Sequence, residues 1–287
     1  MSEHDWAGRV AVVTGGGSGI GRSMVRRFAG EAMSVVVADI DLPAAQAVAE
    51  ELAADGLLAD GAEALAVEVD VSSATAVEEL AETCVERLGG VHLACNNAGV
   101  SAGGLSWELP MSDWEWVLEV NLWGVIHGVR SFVPRIVASG GGHVVNTASM
   151  AGLTSPPFMS PYSVAKHGVV ALTEALYHEL AISHPEVGAS VLCPGWVSTR
   201  IHEAGRNRPE RHGGPVDPNA EAGMREVIAG LIAAGADPDD VAASVWDAIS
   251  ERRFWVFTHD EWLPMAAEDS RLAFEGKNPV LRMPGGQ

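Results

Sequence analysis

The stretch from Arg9 to Phe28 constrains this chain more than any other. It reads R-V-A-V-V-T, an apolar run of strand length, then G-G-G-S-G-I-G, then a helical pattern that puts Ile20, Met24 and Phe28 on one face. Strand, glycine-rich turn and helix in that order form one βα unit. The glycines allow a tight turn and a close backbone approach, and the N-terminus of the following helix attracts an anion. The spacing is T-G-x-x-x-G-x-G rather than the more familiar G-x-G-x-x-G. A glycine turn alone is only a turn; between a buried strand and an amphipathic helix it reads as a cradle for a phosphate.

A second apolar run, Ser34 to Ala38, ends at Asp39. An acidic residue roughly 20 residues past the glycines suits the ribose hydroxyls of an adenosine dinucleotide. It would repel the 2′-phosphate of NADP. Ile40 stands where an arginine could hold that phosphate, and Ser18 where a cation could help. All three favour NAD over NADP. The remaining chain alternates in the same way. Strands are predicted over Ala64 to Val69, Val91 to Cys95, Gly142 to Ala148, Ala189 to Cys193 and Phe254 to Phe257. Helices are predicted from Leu42, Ser73, near Tyr162 and Asp237, and a long one opens with a Ser112–Glu115 capping box and runs to about Pro134. This alternation predicts an α/β chain: one Rossmann-like, doubly wound parallel sheet of about seven strands with helices on both faces, spanning residues 1–287 as a single domain.

The chemistry-bearing stretch is Ser149 to Lys166, S-M-A-G-L-T-S-P-P-F-M-S-P-Y-S-V-A-K. A strand delivers Ser149 to its end. Tyr162 and Lys166 are four residues apart, so they share one helix face. A phenol titrates near ~10, and a fixed ammonium beside it favours the phenolate. Ser149 can then hold a carbonyl or alcohol oxygen while Tyr162 moves its proton, a set suited to oxidation or reduction at a secondary carbon. Tyr and Lys at this spacing also occur as a buried ring beside a long cation, so the rest of the chain has to decide. Asn121, inside the long helix, is a poor helix former, and is either a satisfied buried amide or a functional kink.

The charge excludes several partners. With 18 Lys and Arg against 38 Asp and Glu the net charge is −20, which argues against nucleic acid and against an anionic membrane. No signal peptide is visible at the start, and no apolar run reaches the ~18 residues that cross a bilayer. Cys84, Cys95 and Cys193 are scattered and read as reduced core thiols in a cytoplasmic setting. The histidines form no metal-binding spacing, so no metal is expected.

Taken in order, these residues resemble the classical short-chain dehydrogenase/reductase family over roughly Trp6 to Phe257. Thr14, Gly15, Ser18, Gly19, Ile20 and Gly21 are similar to its cofactor loop, and Asp39 to its NAD-selecting acid. Asp70 and Val71 resemble the pair beside the adenine, and Asn96-Asn97-Ala98-Gly99 the stretch that borders the cofactor. Pro194, Gly195, Val197 and Thr199 resemble the segment that holds the nicotinamide carboxamide. Asn121, Ser149, Tyr162 and Lys166 match the catalytic tetrad, with Ser149 thirteen residues before Tyr162. The resemblance implies roles: Tyr162 as acid and base, Lys166 lowering its pKa and binding the nicotinamide ribose, Ser149 orienting the substrate oxygen, and Asn121 positioning a water that relays protons. It also implies direct hydride transfer without a metal, and a homodimer or homotetramer built on the helices of Asn121 and Tyr162. The stretch Val117 to Val197 and the F-W-V-F-T-H-D-E-W end resemble a bacterial subgroup that includes aryl and secondary-alcohol dehydrogenases.

Trp107 and Trp196 fall at carboxyl ends of strands, and Met150, Phe158 and Met159 lie between Ser149 and Tyr162. Together they predict an apolar, partly aromatic pocket for a small-molecule substrate. Residues 196–236 hold a polar, Gly- and Pro-rich run that predicts a mobile flap over the site. Residues 258–287 form a tail without a readable signal. Trp114, Trp116 and Trp123 fit helix packing or a subunit interface. Two other readings stay open: a 3-oxoacyl-thioester reductase, with Arg206, Arg208 and Arg211 meeting a carrier's acidic groups, and a dinucleotide-binding scaffold without catalysis.

Overall fold

The structure is a computed structural model and describes residues 6–214 and 229–281. Its described residues form a seven-stranded, wholly parallel sheet in the order β3-β2-β1-β4-β5-β6-β7. The strands are β1 Val10–Thr14, β2 Ser34–Asp39, β3 Ala64–Glu68, β4 Leu93–Asn96, β5 Gly142–Thr147, β6 Val187–Cys193 and β7 Trp255–Phe257. The helices are α1 Gly19–Gly30, α2 Leu42–Ala54, α3 Ala74–Leu88, α4 Met111–Leu118, α5 Gly124–Ala138, α6 Ser160–Ser183, α7 Pro238–Glu251 and α8 Leu263–Phe274. The predicted strands are all present, with ends moved by one or two residues.

Successive residues along each strand point to opposite faces, and each face has its own core. Ala11, Val13, Val35 and Val37 pack on α1, α2 and α7 through Met24, Phe28, Leu52 and Trp246. Val10, Val12, Val36 and Ala94 pack on α3, α5 and α6 through Leu80, Phe132 and Leu176. Such doubly covered strands read as continuous apolar runs, the pattern the sequence displays.

Strand order reverses between β1 and β4, and the crevice outside their carboxyl ends is where ligands bind in open α/β sheets. One hydroxyl ties the two strand ends. Thr14 Oγ1 donates to Cys95 O and accepts from Asn97 N (2.9 Å) and Ala98 N (3.1 Å).

Two expectations about local structure change. The capping box is not formed: α4 starts after Pro110 with no side-chain cap, and Ser112 Oγ instead accepts from Arg208 at 3.1 Å. A tertiary cation outcompetes the local cap. The long helix is continuous through Pro134 but contains a π-helical turn, Glu119–Trp123, around Asn121. No helix among the described residues is long and apolar enough to cross a membrane.

Candidate active site

The glycine loop is shaped by close approach. Gly15 and Gly19 have φ of +66° and +52°, a region that favours glycine. A Cβ on Gly21 would lie 2.1 Å from Gly15 O, so no larger residue fits there. Ser18 is the N-cap of α1, yet its hydroxyl caps nothing, which leaves it for a ligand at the helix N-terminus. Ile20 is partly buried against the core. Asp39 closes the far side: Oδ2 accepts from Gly17 N (2.9 Å) and Oδ1 from Asp41 N (3.0 Å). Its second lone pairs remain for ribose hydroxyls. Asn97 Nδ2 donates to Thr14 O (3.0 Å), and its Oδ1 accepts from Thr147 Oγ1 (3.2 Å). These contacts make a preformed cradle of short turns, an unused cap hydroxyl, main-chain donors and a carboxylate.

The segment after β6 forms the other side. Pro194 O accepts from Met150 N at 2.9 Å. Gly195 N is held by Thr258 Oγ1 and His259 Nδ1, so the tail anchors this turn. Val197 is buried and pairs with Ala236, which closes the base of residues 196–236. Thr199 lies against the glycine loop, where a Cβ on Gly19 would meet its Cγ2 at 2.9 Å.

The tetrad converges. Ser149 sits just past β5 with its Oγ accepting from Ala151 N (3.1 Å) and facing Pro194 O (3.4 Å). Its hydroxyl lies near enough to Tyr162 to favour the phenolate. Lys166 is buried, donates from Nζ to Thr147 O at 2.7 Å, and holds Nζ 5.5 Å from the centre of the Tyr162 ring. Asn121 is wholly buried and both ends of its amide bond Val100, Nδ2 to O and N to Oδ1, at 2.8 Å each. Gly99 lies between Asn121 and Lys166: a Cβ there would be 3.4 Å from Asn121 Oδ1 and 3.8 Å from Lys166 Nζ. The amide is satisfied, as one of the two sequence alternatives has it, and the helix is widened into a π turn at the same place.

The electrostatics differ from the sequence argument. Burial, more than any neighbour, pushes the Tyr162 hydroxyl above its ordinary value, and the Ser149 hydrogen bond pulls the other way. Lys166 does not offset this, because burial pushes its own ammonium down to about 8, with Cys193 opposing the fall. Both groups titrate as desolvated partners rather than as an exposed ammonium beside a phenol.

Of the predicted pocket residues, Met159 is partly buried beside Tyr162. Met150 packs instead into the core with Ala148, Val169 and Val191, beneath the site. Phe158 is half exposed with φ of +66°, an uncommon conformation for a non-glycine residue. Trp107 is 78% exposed, standing off the pocket in this conformation. Trp196 packs edge-on against Trp262 of the tail at 6.1 Å. The wall around Tyr162 also uses Val100, Ala102, Trp116, Ile201 and Ala204, which sequence reasoning missed. Their signal was weak: Val100 and Ala102 are single apolar residues in a loop, Ile201 and Ala204 lie in a short turn, and Trp116 of α4 fits helix packing.

The predicted flap falls partly outside the described residues. Its described part, through Gly214, is docked. Arg208 pairs with Asp113 at 2.5 Å and lies over the Trp116 ring. Arg211 lies between Asp70 (3.2 Å) and Glu119 (3.4 Å), and His212 Nε2 reaches Glu119 at 2.9 Å. Asp70, expected at the adenine, is therefore also held by Ser72 Oγ (2.6 Å) and by this arginine. Val71 is buried beneath it against Gly124. The three cysteines are free and buried, with Cys84 and Cys193 pushed up to about 12. No group of three His, Cys, Asp or Glu among the described residues could hold a metal.

Comparison with known proteins agrees with this geometry. Residues 9–210 match the family model for short chain dehydrogenase. A short chain dehydrogenase/reductase from Burkholderia phymatum, solved in complex with NAD, superposes with a TM-score of 0.91 and 41% identity, over 99% of each chain. A 1-deoxy-11-beta-hydroxypentalenate dehydrogenase of Streptomyces arenae is 36% identical over 88% of this chain and 83% of its own. A cyclohexanol dehydrogenase of Acinetobacter sp. strain SE19 is 40% identical over 67% and 74%. The chain belongs to the short-chain dehydrogenase/reductase family of oxidoreductases. The Rossmann-like fold and family membership expected from the motifs are both correct.

Proposed function

We propose that the protein oxidises an apolar or aromatic secondary alcohol, or reduces the matching ketone, with NAD as hydride partner. The observation that carries this reading is the meeting of half-buried Ser149 with buried Tyr162 and Lys166, beside a wall of apolar side chains. Ser149 holds the substrate oxygen by donating from Oγ. Tyr162 exchanges the hydroxyl proton with that oxygen. Lys166 orients the site through Thr147 and carries a proton that burial makes easy to release near neutral pH. The Asn121 amide is committed to Val100, so any role toward a relay water falls to the main chain of its π turn. When bound, NAD supplies the hydride acceptor. Thr14, Gly15, Ser18, Gly19, Gly21, Asp39, Asn97 and Thr199 line its cradle.

NAD rather than NADP is supported by the Asp39 carboxylate at the end of β2 and by the neighbour solved with NAD. The alcohol class is supported by the apolar wall and by relatives whose names include cyclohexanol and a hydroxylated pentalenate. A thioester reductase is disfavoured because Arg208 and Arg211 are engaged with Asp113, Asp70 and Glu119 instead of facing a carrier. A homodimer or homotetramer would use the helices that hold Asn121 and Tyr162, where Trp123 of the π turn and Val164 of α6 are about half exposed.

The test is nicotinamide absorbance with linear, cyclic and aryl secondary alcohols, given NAD and NADP separately. Turnover with NAD on apolar alcohols is the expected result. Turnover with 3-oxoacyl thioesters and NADPH alone would replace this reading.

A further inference from the structure

The edge of the sheet brings the tail against the catalytic serine. In the parallel register of β6 and β7, Cys193 pairs with Phe257. Two residues further along both chains, Gly195 meets His259. The approach is close: a Cβ on Gly195 would lie 2.6 Å from His259 Cγ, so the imidazole takes the space that a side chain at 195 would need. The ring also packs on Trp262, with centroids 5.3 Å apart, and Trp262 N donates to His259 O at 3.0 Å.

Gly195 N donates to His259 Nδ1 at 3.2 Å and to Thr258 Oγ1 at 3.3 Å. To accept that bond, Nδ1 must be the lone-pair nitrogen of the ring, with the ring proton on Nε2. A hydroxyl turns freely about its bond, whereas an imidazole packed on Gly195 and Trp262 presents its lone pair in a fixed direction. The N–H belongs to the peptide unit whose carbonyl is Pro194 O. That unit is planar and trans, so its N–H and C=O point in opposite directions. The carbonyl end reaches the end of β5, where Pro194 O accepts from Met150 N at 2.9 Å and from Ser149 Oγ at 3.4 Å. One rigid plane therefore links His259 to Ser149.

The two carbonyl contacts differ in strength. The 2.9 Å bond fixes the oxygen. The 3.4 Å contact is long for a hydroxyl donor, so the Ser149 proton is held loosely and a substrate oxygen can take it. A tilt of the plane that shortened this contact would give Ser149 a competing acceptor. A tilt that lengthened the Met150 bond would loosen the Met150–Gly152 turn, whose Ala151 N donates to the same Ser149 Oγ at 3.1 Å.

We infer that His259 is a positioning residue for Ser149: by accepting the Gly195 N–H it fixes the Pro194–Gly195 peptide plane, and the carbonyl of that plane sets where the Ser149 hydroxyl points. This rests on the reading of Ser149 as the group that holds the substrate oxygen. The effect passes through the peptide and requires no contact between His259 and the substrate.

The test compares His259→Leu, His259→Asn and the double variant T258V/H259L with the unmodified protein. Asparagine keeps an acceptor oxygen close to the place of Nδ1; leucine fills similar space without one. The readouts are kcat and KM with NAD and the best secondary alcohol, NAD affinity by calorimetry, the melting temperature, and exchange of the Gly195 amide proton by nitrogen-15 NMR. In H259L, kcat should fall about tenfold while NAD affinity stays within about twofold, and the Gly195 amide should exchange faster. The double variant should lose more, and H259N should recover kcat to within about threefold of the unmodified protein. Unchanged kcat in the double variant would overturn the inference. So would equal losses in H259N and H259L, which would make His259 a packing residue, or a loss confined to NAD affinity, which would place the hold on the cofactor. A loss seen only in the double variant would give the role to Thr258. If the unmodified protein turns over no secondary alcohol, the functional reading fails. Equally slow Gly195 exchange in the unmodified protein and the double variant is the separate failure of the hold itself.

Discussion

The two walls of the cleft are built from different materials. The wall made by the ends of β1, β4 and β5 is held by hydrogen bonds to main-chain and uncharged side-chain atoms, without an ion pair. Thr14, Asn97, Thr147 and Lys166 reach main-chain atoms or each other across adjacent strands, and most are buried. The wall made by residues 200–212 is held mostly by ions, Arg200 to Glu203, Arg208 to Asp113 and Arg211 to Glu119, with a His212–Glu119 hydrogen bond beside them. Strand ends are fixed relative to one another by the sheet, so hydrogen bonds between them cost little further ordering. A loop brought in from outside the sheet has no such frame and uses charges, which act over longer distances and are weakened by salt. The first wall is suited to proton transfer at fixed distances; the second to a part that closes over ligands.

The sharpest way to break the first wall is Tyr162→Phe. Turnover should fall by at least about 10³-fold, within the range of acid–base catalysis, while NAD affinity stays nearly unchanged by calorimetry. Retained turnover would remove Tyr162 from the role of base. The next effect belongs to the cradle. Asp39→Asn should lower the preference for NAD over NADP by about tenfold or more, read as the ratio of kcat/KM values, because the like-charge repulsion of a 2′-phosphate is lost. An unchanged ratio would place cofactor selection elsewhere.

A smaller effect tests the burial of Lys166. Its folded value of about 8 lies below the ordinary 10.5, so the unfolded chain binds the extra proton between those values. Stability from this group therefore rises with pH through that window. Relative to Lys166→Met, the unmodified protein should gain on the order of 1 kcal/mol between pH 8 and 9, by denaturant melts at each pH. The comparison of the two proteins cancels the buried Cys84 and Cys95 thiols, which act in the opposite direction above pH 9 in both. Parallel curves would mean that Lys166 keeps its normal affinity for protons. The smallest effect belongs to the ionic wall. Arg208→Ala should raise the substrate KM about threefold with little change in kcat, and added salt should narrow the difference between the two proteins. A salt-independent difference would show that Arg208 acts by packing on Trp116 instead.

Much of this was legible in the chain. Strand and helix periodicity depends on neighbours in sequence, so the β1–α1 unit, the alternation and the parallel sheet followed from pattern. Tyr162 and Lys166 were legible because one helix turn fixes their spacing. Other features were not. The capping box at Ser112 has the right local letters, but Arg208, far along the chain, takes the hydroxyl. Met150 looked like a pocket residue from its place between Ser149 and Tyr162, yet the short turn there points it into the core. The tail offered no pattern, and still His259 and Thr258 fix Gly195 and Trp262 packs on Trp196.

The division has one physical reason. The sequence by itself determined what depends on local geometry: the glycine turn that only small residues can make, the acid at the end of β2, and the helical spacing of Tyr162 and Lys166. The tertiary structure decided what depends on desolvation and on long-range charge. Burial, more than the neighbouring ammonium, sets the proton affinity of Tyr162 and Lys166. The choice of which arginines pair is made only when residues distant in sequence compete for the same few carboxylates.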